Sequence, residues 1–393
     1  MDYGYLTFTA EENTTLTLNQ NGGIEPHKLL KSTDGVNWTK WENPSTNGIV
    51  LNAGESVYLK DDEDALNRTS TSDKDFNSYS STGRIKCNGS LMPEISLNPG
   101  TNDYSYFVAK LFRNCTTLTK APALPATTLA NRCYYYMFTN CTSLSKAPSL
   151  PATTLEYECY VGMFQNCESL VEAQTLPATT LADNCYSFMF YGCTSLTTAP
   201  ELPATTLEIY CYSYMFNGCT SLTTAPKLPA TTLASYCYRN MFSDCASLAQ
   251  APELPATTLA DNCYHGMFSG CTSLTKVPSV LPATTLDDNC YHYMFSNCTS
   301  LKRIKMNASS GNWGGGMFNG CTSLELVDMT GSTGVPTLSN VNNFGDTNDT
   351  YKIVVPDSLY DTWIAATNWA SIATHIMKKS DWNAAHPDDI LGQ

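Results

Sequence analysis

The chain has 393 residues, of which only 15% are charged, and a formal net charge of −14. It is too long for one compact core, and its sparse, acidic charge argues against nucleic acid, whose phosphates demand clustered Lys and Arg. There is no apolar run long enough for a membrane span, and the composition, rich in Tyr, Thr, Ser, Asn and Cys, suits an extracellular or surface protein.

Residues 1–100 read as short strands separated by turns. Tyr5-Leu-Thr-Phe-Thr, Thr15-Leu-Thr-Leu, Lys28-Leu-Leu-Lys, Gly48-Ile-Val-Leu, Ser56-Val-Tyr-Leu-Lys and Arg84-Ile-Lys are the strand candidates. Asn21-Gly22, Asp34-Gly35 and Ala53-Gly54 punctuate them, which predicts a small antiparallel sandwich-like domain. The chain enters this pattern at Met1 without a basic-then-apolar leader, so no secretion signal is expected. Asp61-Asp-Glu-Asp64 lacks the ligand spacing of a calcium loop and reads as a solvated acidic turn.

From Cys115 one pattern recurs, with cysteines opening coils at 115, 141, 167, 193, 219, 245, 271, 298 and 321. A fixed period of this size means stacked coils, each unable to bury its apolar face alone. One copy runs Cys193-Thr-Ser-Leu196-Thr-Thr-Ala199-Pro200-Glu-Leu202-Pro203-Ala-Thr-Thr-Leu207, and a tenth coil lacking the cysteine continues through Ile353 and Val355. Pro200 and its equivalents cannot donate a ladder hydrogen bond, which predicts a narrow parallel sheet of two or three residues per coil. Ile304-Lys-Met306, Val327-Asp-Met329 and Ile353-Val-Val355 lack that proline and should form the more regular strands. Fourteen of the 17 cysteines form pairs eight residues apart, one pair per coil. Such rungs lie side by side, too far apart for unstrained disulfides and too poorly converged for zinc, so free buried thiols are expected.

The return half of each coil carries Leu207, Cys211, Met215 and Cys219 at four-residue steps, which predicts a short helical or 3-10 arm capped by Thr205 or Thr206. The residue before each coil-opening cysteine is Asn, Gly or Asp, the types that accept a left-handed backbone and stop a helix. Ser358 to Trp369 has helical spacing and should cap the open end, with residues 377–393 left as a polar tail.

These residues resemble the bacterial leucine-rich repeats of the Treponema/BspA-like class, whose unit runs Cys-x-x-Leu-x-x-Ile-x-Leu-Pro-x-x-Leu-x-x-Ile-x-x-x-Ala-Phe-x-x-Cys. Here Ala199 and Cys211 stand in the Ile slots and Met215-Phe216 in the Ala-Phe slot; one extra residue in each of three gaps lengthens the unit. The resemblance covers roughly residues 105–375 and implies a leucine-rich-repeat solenoid over residues 101–376, behind the β-domain of residues 1–100. It also implies a surface protein linked to adhesion, with a host or cell-surface protein or glycan as partner.

For recognition, the exposed strand positions come first: Thr119/Lys120, Ser145/Lys146, Val171/Glu172, Thr197/Thr198, Thr223/Thr224, Ala249/Gln250, Thr275/Lys276 and Lys302/Arg303. They are small and lack the Trp, Tyr and Arg anchors of interface hot spots. The row Tyr134, Tyr160, Tyr186, Tyr212, Tyr238, Tyr264 and Tyr291 follows a buried Cys in each coil and reads as ladder packing. His265 and His292, near Cys263 and Cys290, occupy a slot held elsewhere by Tyr135, Val161, Ser187, Ser213 and Arg239, so no chemistry is imposed there. The Thr-Thr pairs at 127/128 through 284/285 are adjacent residues, which should point apart instead of forming a flat ice-binding array. The expected protein is a monomeric, non-enzymatic adhesion or recognition protein without catalytic, cofactor-binding or metal-binding residues; the alternative is a carbohydrate-binding surface module acting through the N-terminal domain or the Tyr row.

Overall fold

The computed structural model describes residues 5–19, 29–61, 78–91, 109–339 and 341–391. It forms two compact units, Met1–Glu201 and Leu202–Gln393, which part within the repeats. The boundary expected near residue 100, the turn at Asn21-Gly22 and Asp62-Glu-Asp64 lie outside the described residues.

In the first unit, alternating sequence gives alternating burial. Strands β1 (Leu6–Ala10) and β2 (Thr14–Asn19) bury every second residue, as half-exposed sheets require. They are followed by β3 (Leu29–Ser32), β4 (Thr39–Lys40), β5 (Ile49–Leu51), β6 (Ser56–Asp61), β7 (Ser78–Ser81), β8 (Ile85–Asn88) and β9 (Leu118–Lys120). One sheet has the order β4-β3-β6-β1-β8-β9 and the other β5-β2-β7. Phe8 of β1 meets Tyr79 of β7 at 4.9 Å between ring centroids, joining the sheets' buried faces. β4 and β7 are short strands the sequence pattern does not announce. β8 pairs in parallel with β9, so the first coil adds a strand to the antiparallel sheet.

The second unit bears out the contrast between proline-bearing and proline-free coils. β10 (Thr285–Leu286) pairs with β12 (Ser310–Gly311), while β11 (Arg303–Lys305), β13 (Leu326–Asp328), β14 (Lys352–Val355) and β15 (Ile376–Lys378) make a four-stranded parallel sheet. Where the proline is present in both coils, pairing shrinks to single bridges such as Gln250↔Lys276; the coil with Gln174 in place of the proline is an exception, making only the bridge Lys146↔Glu172.

The return arms are not the helices that the four-residue steps suggest. In the arm from Ala130 to Cys141, alternate amides bond three residues back: Tyr135 to Arg132, Met137 to Tyr134, Thr139 to Tyr136. The amides between them reach the next coil, Tyr134 to Cys159, Tyr136 to Val161 and Phe138 to Met163, at 2.8–3.0 Å. Every fourth residue is left-handed, as Arg132, Tyr136 and Asn140 show with φ of 57°, 51° and 61°. The arm is therefore a run of overlapping tight turns. A helix would spend all its amides internally, whereas this ribbon spends half of them binding its neighbour. The same alternation recurs in the second unit, for example from Tyr212 to Cys237 and Phe216 to Met241. Without helices there is nothing for the threonines to cap. Thr154↔Thr180 and Thr206↔Thr232 instead bridge a second narrow parallel ladder, with both threonines of each pair exposed.

The predicted stops hold throughout. Asn114, Asn140, Asn166, Gly192, Gly218, Asp244, Gly270, Asn297 and Gly320 all have φ between 56° and 75°. All 17 cysteines are free and buried. They are more than filler, because Cys141, Cys167 and Cys193 each donate a thiol hydrogen bond to a phenylalanine carbonyl of the preceding coil at 3.1 Å. Cys245 and Cys271 do so in the second unit. Buried rings stack beside them, with Phe138–Phe164 at 5.6 Å in the first unit and Phe242–Phe268 at 5.7 Å in the second.

Beyond the last repeat strand the C-terminal end folds into short elements. A helix α1 (Tyr360–Ala365) and a 3-10 segment (Trp369–His375) bury Trp363 and Trp369 completely. Within residues 377–393, expected as a polar tail, the described residues 377–391 carry regular structure. β15 adds a strand, and helix α2 (Lys379–Ala385) sets Trp382 against Leu326 and Val354. The indole of Trp382 donates to the Asp389 carbonyl, and Arg303 pairs with the Asp389 carboxylate. One large apolar ring and one ion pair outweigh the polar composition around them.

Candidate functional site

The strand side presents what the sequence suggested. Both residues of each named pair from Ser145/Lys146 to Lys302/Arg303 are exposed, and Thr119/Lys120 differs only in a half-buried Thr119. Their charges largely answer one another, as in Lys146–Glu172 at 3.4 Å and Lys302–Glu325 at 2.9 Å. Exposed pairs of this kind contribute little to stability, and the surface offers no large anchor.

The Tyr row is interior. Tyr134, Tyr160 and Tyr186 stack at 5.7 Å in the first unit; in the second, Tyr212, Tyr238, Tyr264 and Tyr291 stack at 5.7–6.0 Å, and each of the seven is 1% exposed. It serves as packing and is closed to any ligand.

His265 and His292 do meet, with ring centroids 5.0 Å apart. The His292 Nδ1 accepts the Gly315 amide at 2.7 Å, and the His265 Nδ1 lies 3.1 Å from the Asn262 side-chain oxygen. Burial, helped by His292 and Arg239, pushes His265 down to about 4. The neighbouring thiols are held protonated, because burial drives Cys263 and Cys290 far above the ordinary range. A thiol kept neutral is a poor nucleophile.

What the sequence reading missed is the outer surface of the turn arms. In Leu202–Gln393, aromatic and basic side chains beside the buried Cys-Tyr pairs stand half-buried at the surface of the turns. Tyr210 and Tyr236 stack at 4.6 Å, and the Arg239 guanidinium lies over both Tyr236 and Tyr214, at 5.6 and 5.7 Å. Ile209 and Tyr293 are 42% and 43% exposed, and His292 meets Tyr293 edge-on at 4.3 Å. This belt of Tyr, Arg and His supplies the anchors absent from the strand side. Its sequence signal is the slot that reads Ser213, Arg239, His265 and His292 while its neighbours barely change. That slot is buried at Ser213 and half-buried at Arg239, His265 and His292.

The model of the BspA type leucine rich repeat region matches this chain in six copies, over residues 94–199, 132–275, 183–325 and 257–362. The chain belongs to that family. The matches span about two thirds of its length. Among solved structures, a leucine-rich repeat protein from Bacteroides ovatus is similar at 16% identity, with 76% of this chain and 96% of that one covered and a TM-score of 0.25. A leucine-rich cell surface protein from Faecalibacterium prausnitzii is similar at 17% identity, with 70% and 78% covered and a TM-score of 0.32. No curated protein matches.

Proposed function

We propose that this BspA-type protein is a non-enzymatic recognition protein, displayed at or released from a bacterial surface, that binds a protein on a host or neighbouring cell. We further propose that its repeats run on as one leucine-rich-repeat solenoid behind the β-rich residues 1–100, and that it acts as a monomer. The reading is carried by the Tyr210–Tyr236 stack with Arg239 over it. Tyr and Arg dominate binding hot spots because they bring large contact area with few rotatable bonds and directed charge. Recognition is favoured over catalysis because the cysteines are neutral and buried and the histidine pair is engaged in packing. No helix among the described residues is long and apolar enough to cross a membrane.

The test is binding of the purified full chain to arrays of host matrix and cell-surface proteins, repeated with Tyr236→Ala and Arg239→Ala. Each variant should weaken a genuine partner by at least about tenfold, the cost of losing one hot-spot anchor. Equal binding by both variants would remove the belt from the interface. A deletion strain that adheres as well as its parent would remove adhesion.

A further inference from the structure

The outer face of the first unit's six-stranded sheet carries a second feature. The alternation that buries Leu6, Phe8 and Ala10 turns Tyr5, Thr7 and Thr9 the other way. Thr7 lies opposite Tyr58 on β6 and Asn88 on β8; Thr9 lies opposite Ser56 and Lys86. Tyr58 and Lys60 alternate with the buried Val57 and Leu59. Such a face is rich in hydroxyls, amides and ammonium groups and poor in aliphatic surface.

At one end of it three aromatic rings converge. Tyr5 meets Tyr58 edge-on at 5.2 Å and Trp38 at 5.9 Å, and the Lys60 ammonium sits 4.3 Å from the Trp38 ring centre. The loop carrying Trp38 is tied down in advance. Asp34 accepts the amides of Val36 and Asn37 at 2.9 and 2.8 Å, the Asn37 side chain at 2.7 Å and the Ser32 hydroxyl at 2.8 Å. Gly35 stands beside the cluster with φ of 73°, and a methyl group added there would only just touch Tyr5 and Tyr58, so the notch is open at this point. Packing alone explains a ring cluster that pins a loop to a sheet. It leaves Tyr5 40% exposed at the rim of the cluster.

We propose that this face binds an anionic saccharide, with Tyr5, Trp38 and Tyr58 taking sugar rings and Lys60 pairing with a carboxylate or sulfate. Aromatic faces accept the C–H side of a sugar, and phenol and hydroxyl groups at the rim answer its hydroxyls. Tyr and Trp also anchor protein interfaces, so the saccharide assignment rests on the hydroxyl, amide and ammonium groups that surround the rings. The charge is decided locally. Lys40 and Lys86 are paired with Glu42 and Glu11, and Lys120 is bonded to Asn88, whereas Lys60 has no carboxylate among the described residues. Fields fade over about 8 Å at physiological salt, so the near groups decide: Asp34 in the Trp38 loop and Asp61 next to Lys60 in the chain oppose an anion, and the Lys60 contact has to be direct.

Affinity electrophoresis of the full chain in gels holding polygalacturonate, chondroitin sulfate or neutral dextran tests the assignment. Retardation by either acidic polymer, weakened by added salt, and none by dextran is expected; retardation by polygalacturonate, which has no sulfate, assigns the carboxylate, and retardation by chondroitin sulfate alone, which carries both groups, shows that a carboxylate by itself does not suffice. Lys60→Gln and Tyr5→Ser should each weaken it by about tenfold without a change in melting temperature. Trp38→Ala should abolish it, with the milder pair guarding against a folding defect. No retardation by either acidic polymer, equal retardation by dextran, or wild-type behaviour of Lys60→Gln overturns the proposal. Arg239→Ala should be retarded as wild type, so failure here and failure of the arm belt are told apart.

Discussion

The two halves of a coil solve stacking differently. On the strand side, Thr197, Thr198 and their equivalents need only an extended backbone, and many residue types serve. On the arm side, every fourth residue must be left-handed and every second amide must leave its own coil. The strand side is thus constrained by side-chain size and the arm by backbone conformation. The half-buried aromatic and basic anchors collect on the arm.

The comparison breaks first at a left-handed stop. Gly192 has φ of 69°, and a Cβ there would run into the Asn166 side chain. Gly192→Val should cost about 3 kcal/mol, from a β-branched residue in a left-handed well plus the clash. Thr198→Val, exposed on the strand side, should change stability by less than about 0.5 kcal/mol. Denaturant midpoints of the two variants check this, and similar losses would show that arm and strand are equally constrained.

The thiol column comes next. Cys167 is fully buried and donates to the Phe138 carbonyl at 3.1 Å. Cys167→Ala removes that bond and leaves a void, and should cost about 2 kcal/mol. Cys167→Ser keeps a donor but adds a polar atom to an apolar site and should fall no closer to wild type than the alanine variant. Full stability in either would make the cysteines interchangeable filler.

Much of this division was legible in the residues. The nine stops were marked by Asn, Gly and Asp before each cysteine, and the coil register by the cysteines themselves, because both signals are local. The turn ribbon was not legible. Leu129, Cys133, Met137 and Cys141 fit a four-residue turn repeat as well as a helix, since the drift of about 120° between periods of 4 and 3.6 over three steps is close to the width of a helix's apolar stripe. Tyr136 and Phe188 gave no hint of left-handed backbone, because aromatic residues rarely adopt it and do so here only under the grip of the neighbouring coil. The regular structure around Trp382 was hidden by the polar residues on either side. The belt was invisible because its members lie outside the inward stripe that periodicity detects.

The belt should also report on pH. His265, half-buried against His292 and near Arg239, binds a proton only at about 4, whereas an unfolded histidine does so near 6.5. The unfolded chain therefore takes up the proton first. The stabilising advantage of the neutral ring is present above about 6.5 and is lost as pH falls towards 4. With solvent screening of a partly exposed group allowed for, the loss should be about 1 kcal/mol. Melting curves of wild type and His265→Gln should converge as pH drops through that window. Parallel curves would mean the histidine titrates normally, and that this stretch of arm is looser than its stacked rings suggest.

The smallest effect isolates the backbone from everything else. Asn184 is left-handed, with φ of 58°, and its side chain is only partly buried. Asn and Gly both tolerate this conformation, so Asn184→Gly should lie within about 0.5 kcal/mol of wild type. Asn184→Ala keeps a short side chain but loses that tolerance, and should cost about 1 kcal/mol. The order Gly at least as stable as Asn, and Ala below both, follows if conformation sets the cost. An alanine variant as stable as the glycine variant would mean that the ribbon relaxes around a right-handed residue. The arm would then be no more demanding than the strand.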